Sequence, residues 1–172
     1  MSISQTELIW ALVIAGLLAS ALVVVFIKQR KEAKQDIKKS PEINTKQLQL
    51  QAYERLMLLT DRIAIPNLIN RVNQPGLNAK EMQFVLTQSI RQEFDHNITQ
   101  RIYVSPESWD AVDKLKEQNL LIINQVASYL PDNSSGHDLK KNLLEMLMQN
   151  PKASLHNVVA DALSYEAKNL MR

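Results

Sequence analysis

The chain of 172 residues contains no cysteine, which excludes disulfide frameworks, thiol nucleophiles and cysteine-based zinc or iron sites. Histidine is scarce: His96, His137 and His156 lie far apart, without HxxH or HExxH spacing. No metal site is therefore expected. Three glycines leave no phosphate-cradling loop, since Walker and dinucleotide fingerprints need several at fixed spacing. No nucleotide or other cofactor is expected. Internal repeats and low-complexity tracts are also missing, and a chain this short supplies one modest domain plus attachments.

The most informative stretch is LIWALVIAGLLASALVVVFI, residues 8–27, twenty residues without a charge, followed at once by KQRKEAKQDIKK. Twenty helical residues at about 1.5 Å each cover the ~30 Å hydrocarbon layer of a bilayer. A cleaved signal peptide would want a basic leader, a shorter apolar core and a small-residue cleavage site, none of which fits well. Residues 1–7 carry no Lys or Arg, whereas Lys28, Arg30, Lys31, Lys34, Lys38 and Lys39 crowd the far side. The positive-inside rule then puts the N-terminus outside and residues 28–172 in the cytoplasm. Trp10 suits an interfacial anchor, and Gly16 with Ser20 forms a small-xxx-small pair of the kind that lets two spans approach.

Charge separates the chain into parts. Residues 28–39 hold six basic and two acidic residues, net +4, while residues 40–172 hold fourteen basic and fifteen acidic, net -1. The basic surplus belongs to the arm beside the apolar run and reads as a collar for lipid headgroups, each cation contributing about 1 kcal/mol near an anionic leaflet. The remainder lacks the basic face with interleaved aromatics that nucleic-acid binding requires.

Beyond the arm, Ser40 and Pro41 interrupt any helix, and residues 28–44 serve as juxtamembrane arm and linker. From Thr45 to Ile63 a helical stripe of Ala52, Tyr53, Leu56, Leu59, Thr60 and Ile63 predicts a core-facing helix closed by Pro66. A short helical piece, PNLINRV, ends at the turn NQPG. Asn78 and Glu81 form a capping-box pair opening a helix to about Thr99, with Met82, Leu86, Ile90, Phe94 and Ile98 inward. RIYV, residues 101–104, reads as extended. Ser105, Pro106 and Glu107 then restart a helix lasting to about Tyr129, with Val104 and Trp109 at the positions of a hydrophobic staple. PDNSSG is a loop, and helices follow over about 137–148 and 154–171, separated by the Asn150–Pro151 corner. Residues 45–172 are thus expected to form an all-α bundle of four long helices and one or two short ones behind a transmembrane helix.

The cluster Glu93, Asp95 and His96 has the residue types of a reactive site, but a helix advancing about 100° per residue separates them. Glu93 and Asn97 fall within the Ile90–Phe94–Ile98 stripe; Asp95 lies off it and His96 nearly opposite Phe94. A carboxylate on an apolar stripe demands a partner, and Arg55, Arg62, Arg71 and Arg101 are the candidates. Glu166 repeats the pattern among Leu155, Val159, Ala162, Leu163 and Leu170. Ser135, His137 and Asp138 supply triad residue types, yet neighbours at a helix start cannot relay a proton along one line; Ser135 with Asp138 reads as a cap. His156, at the edge of an apolar face, reads as packed. No catalytic residue is assigned.

The stretches QAYERLMLLTDRIAIPNLINRVNQPG and QEFDHNITQRIYVSPESWDAV resemble the soluble region of an uncharacterised bacteroidete family of small proteins with one N-terminal span and a helical domain of unknown function. The similarity covers residues from about 47 to about 130. It implies a bacterial inner-membrane protein and offers no activity or catalytic residue. The expectation is a single-span, non-enzymatic protein that presents a cytoplasmic helical interaction or scaffold domain to a protein partner or to itself. The rival is a membrane-tethered enzyme working through Glu93 or Glu166.

Overall fold

In the computed structural model, Lys28 and residues 45–72, 74–150 and 155–172 are described. The apolar run at 8–27 and the basic residues Arg30, Lys31, Lys34, Lys38 and Lys39 lie outside the described residues, and Lys28 is exposed. Residues 46–172 form a unit of their own. Among the described residues no helix is long and apolar enough to cross a membrane.

Helix α1 occupies residues 45–63, and all six residues of its stripe, Ala52, Tyr53, Leu56, Leu59, Thr60 and Ile63, are buried. Its end follows from one residue. Pro66 has no amide to give the Arg62 carbonyl, and its ring would clash there. The chain breaks at Ala64, which takes an extended conformation, and restarts as α2, Ile65–Arg71. In an unbroken helix the carbonyls of Asp61, Arg62 and Ile63 would bond the amides four residues on. Instead three side chains serve them: Asn67 Nδ2 donates to Asp61 at 3.0 Å, Arg71 Nη2 to Arg62 at 3.2 Å, and Asn119 Nδ2 to Ile63 at 2.8 Å. Asn119 is buried and comes from a distant helix, so this bond also fixes the kink against the core.

Gly76 forms the following turn at φ +86°, a conformation that costs glycine little. Helix α3, Ala79–His96, opens with the Asn78–Glu81 capping box, and buries Met82, Leu86, Ile90 and Phe94. It then tightens into a 3-10 turn, Ile98–Ile102. The expected continuation to Thr99 does not occur, and Ile98 is exposed, because the tighter winding breaks the i, i+4 phase that pointed it inward. RIYV is likewise not extended. Four residues with no partner strand cannot satisfy their backbone, so the chain uses local bonds, Gln100 N–H to Asn97 O and Tyr103 N–H to Gln100 O, both 3.0 Å.

Helix α4, Pro106–Ser128, is capped by the Ser105 hydroxyl, which accepts from the Ser108 amide. Helix α5, Gly136–Gln149, begins with a second capping box, Ser135–Asp138, and α6 spans His156–Leu170. The described unit is all-helical, and its helices fall where the bundle was expected, with α5 and α6 at 14 and 15 residues. Helix α3 packs on α4 and α5, α4 also on α5 and α6, and α2 fits against α3 and α5. Phe94 meets Trp109 across the α3–α4 seam with ring centroids 5.0 Å apart, and Lys116 Nζ stands 4.1 Å from the Phe94 ring centre. Burial pushes the Lys116 ammonium down, but the Asp113 and Glu117 carboxylates outweigh it and hold the group charged.

The two boxed N-termini meet. Asn78 and Ser135 form an isolated antiparallel bridge, with Ala79 N–H donating to Ser134 O at 2.9 Å and Gly136 N–H to Leu77 O at 2.8 Å. Gly136 is needed because a Cβ there would stand 3.0 Å from both the Leu77 carbonyl oxygen and Met82 Cβ. Gly136→Ala is expected to cost about 1–3 kcal/mol, read as a lowered urea midpoint of the intact protein in detergent. Asn119→Ala should cost a similar ~1–3 kcal/mol by leaving the Ile63 carbonyl unsatisfied. A midpoint unmoved by Asn119→Ala would mean that the kink does not need this bond.

Candidate functional site

The two inward carboxylates of the sequence analysis occupy different environments. Glu93, on the last turns of α3, has a side chain 16% exposed. One of its oxygens receives Arg62 Nη2 at 2.6 Å from α1 and Arg71 Nη1 at 2.9 Å from α2. Of the four arginines weighed as partners, the fold brings these two, because the kink at Ala64 folds α2 back until Arg71 caps Arg62 and reaches Glu93 together. Burial pushes the Glu93 carboxyl up, but the two guanidiniums outweigh it and hold it below its usual range. Asn97 is buried, as expected, and its side chain donates to the Glu93 carbonyl at 2.8 Å, closing the end of α3. Asp95 and His96 are exposed. His96 shares a shallow depression of about 270 Å³ with Glu93 and Asn97, but Asp95 does not line it. Among the described residues no group of three or more His, Asp or Glu could hold a metal ion.

Glu166, on α6, joins three elements. Tyr53 Oη of α1 donates to one carboxylate oxygen at 2.5 Å, and Ser105 Oγ donates to the other at 3.0 Å. The Ser105 amide in turn donates to Tyr53 Oη at 3.1 Å, so the residue that caps α4 also closes a small polar ring. The Ser108 hydroxyl is buried and makes no hydrogen bond. Burial pushes the Glu166 carboxyl up, and the hydroxyls of Tyr53 and Ser105 more than reverse it. Among the described residues no cation takes part. The carboxylate opens on a cleft of about 550 Å³ whose walls include Tyr103, Tyr165 and Asn169.

A second clasp on α6 comes from His156, whose Nε2 lies 2.8 Å from Asp61 on α1. Its role exceeds the packing expected of it. Going from Tyr53 to Asp61 along α1 runs from Glu166 back to His156 along α6, so the two helices are antiparallel and tied at two levels. Ser135 and Asp138 cap α5 as expected, and His137 is exposed.

Tyr53, Ser105 and Asn119 were not singled out as polar partners in the sequence. Asn119 had a signal, since it stands at i+4 from Leu115 and i−4 from Ile123 on the buried stripe of α4. Tyr53 and Ser105 had none, because a tyrosine on an apolar stripe and a serine at a cap are already accounted for locally.

Both carboxyls titrate below their unfolded value, so each contributes stability that is present above the ordinary value of 4.5 and lost as pH falls through the folded one. Glu93→Gln should therefore cost about 1–3 kcal/mol at neutral pH. The gap from the parent protein should shrink toward zero below pH 4.5, measured by urea unfolding across pH. A gap that stays constant into acid would assign the loss to something other than the ion pairs.

Comparison with known proteins adds the family. The model of a family of unknown function, DUF7935, matches residues 3–170, taking in the apolar run as well as the helical unit. No curated protein and no solved structure matches the chain. With nearly its whole length inside the match, the chain belongs to the DUF7935 family of unknown function.

Proposed function

We propose that this protein is a single-span membrane protein, N-terminus outside, whose helical unit serves in the cytoplasm as an interaction or scaffold domain for a protein partner or a second copy. The observation that carries the reading is the uncharged run at 8–27 followed by six basic residues within 28–39. Inclusion of that run in the family match supports treating it as integral to the protein. The bilayer is then the first partner, held through Lys28, Arg30, Lys31, Lys34, Lys38 and Lys39, and a bacterial inner membrane is the location the family resemblance implies.

The chemistry of the two carboxylates supports a non-enzymatic role. A general acid or base working near neutrality wants a pKa close to 7, and both Glu93 and Glu166 are held the other way. Glu93 is in addition covered by two guanidiniums. Apolar side chains on the outer surface suit docking: Phe84 of α3 is 67% exposed and Leu121 of α4 is 64% exposed.

The absence of cysteine makes the topology directly testable. Ser2→Cys should react with a membrane-impermeant maleimide in intact spheroplasts, and Asn133→Cys, in an exposed loop, only after lysis. Labelling of Asn133→Cys in intact spheroplasts would overturn the orientation, and recovery in the soluble fraction would overturn the anchor. Purified in mild detergent, the protein should elute as an oligomer or with a partner. A lone monomer that turns over a substrate would instead favour the enzyme reading.

A further inference from the structure

The cleft beside Glu166 has features that its structural role does not use up. A carboxylate can accept about four hydrogen bonds, whereas Glu166 accepts one at each oxygen, from Tyr53 and Ser105. Glu93 is neutralised by two guanidiniums; among the described residues no basic side chain lines the Glu166 cleft. The site therefore keeps a net negative charge, softened only by the N-terminus of α4. Three of the chain's four tyrosines, Tyr53, Tyr103 and Tyr165, line this one cleft. Tyr53 is buried and spends its hydroxyl on the carboxylate, whereas Tyr165 is 68% exposed. A half-buried carboxylate without a counter-ion, walled by electron-rich rings, matches the requirements of a cation that is large, weakly hydrated and partly apolar. A small metal ion would want several oxygen ligands converging on it, and no second carboxylate lines the cleft.

We propose that the Glu166 cleft binds a small organic ammonium ion, with the carboxylate taking its charge and Tyr103 and Tyr165 packing on its carbon substituents. The volume of about 550 Å³ accommodates a choline- or ethanolamine-sized group with room for an attached chain. The ligand occupies the ring that ties α1, α4 and α6 together, so binding also tightens α6 on α1.

The test is calorimetric titration of the intact protein in maltoside micelles, with choline and with its uncharged analogue in which a tert-butyl carbon replaces the nitrogen. Choline is expected to bind saturably, and the analogue at least about tenfold more weakly. Glu166→Gln should weaken choline binding about tenfold, and Tyr165→Ala about threefold. Tyr129→Ala, which changes the fourth tyrosine, 77% exposed and outside the cleft, should leave it unchanged. Because Glu166→Gln could loosen α6, the exposed Tyr165→Ala carries the test if that variant fails to fold. Repeating the titration in nanodiscs containing ethanolamine lipid distinguishes sources, and both results support ammonium recognition: unchanged affinity marks a free ion as the ligand, weakened affinity a lipid headgroup. Equal binding of the analogue, no binding of choline, or insensitivity to Tyr165→Ala would overturn the proposal.

Discussion

The fold turns on the missing amide of Pro66. A helix that loses one donor must either expose carbonyls or find substitutes, and each buried unsatisfied carbonyl costs about 1–3 kcal/mol of the roughly 5–15 kcal/mol that holds a domain folded. Here the three carbonyls at the end of α1 are taken by Asn67, Arg71 and Asn119. Each substitute positions something else. Asn119 joins α4 to the kink, and Arg71 turns α2 so that its guanidinium reaches Glu93 on α3. Four helices are thus oriented by the repair of one break.

The same logic separates the two acidic residues on apolar stripes. Glu93 stands where two arginines already have backbone duties or lie close by, so its charge is compensated within the fold. Glu166 stands at the meeting of α1, α4 and α6, where the available donors are neutral hydroxyls. Hydrogen bonds hold its ionised form without cancelling its charge. A compensated carboxylate has only a structural part to play, whereas an uncompensated one beside a tyrosine-lined cleft retains attraction for a cation.

Local chemistry made much of this legible. The stripe of α1, the capping boxes at Asn78–Glu81 and Ser135–Asp138, and the Ser105–Pro106 restart depend on residues within four positions of one another, and each appears where its pattern indicates. The misreadings lie where a local pattern competes with its surroundings. RIYV has β-branched and aromatic residues, but no second strand exists for it among the described residues, so short-range bonds win. Ile98 continues an i, i+4 series only while the helix keeps its pitch, and the 3-10 turn after His96 ends that.

Sequence by itself determined the helical class, the positions of most caps and breaks, and that Glu93 and Glu166 needed partners, because periodicity and burial follow from residues close in the chain. Only the tertiary structure decided which partners they have. The separations are 31 and 22 residues for the arginines of Glu93, and 113 and 61 for the hydroxyls of Glu166. Nothing local distinguishes Arg62 from Arg55, or marks Tyr53 as a partner of Glu166. The choice belongs to the packing of α1, α2, α4 and α6 around a break that a single proline imposes.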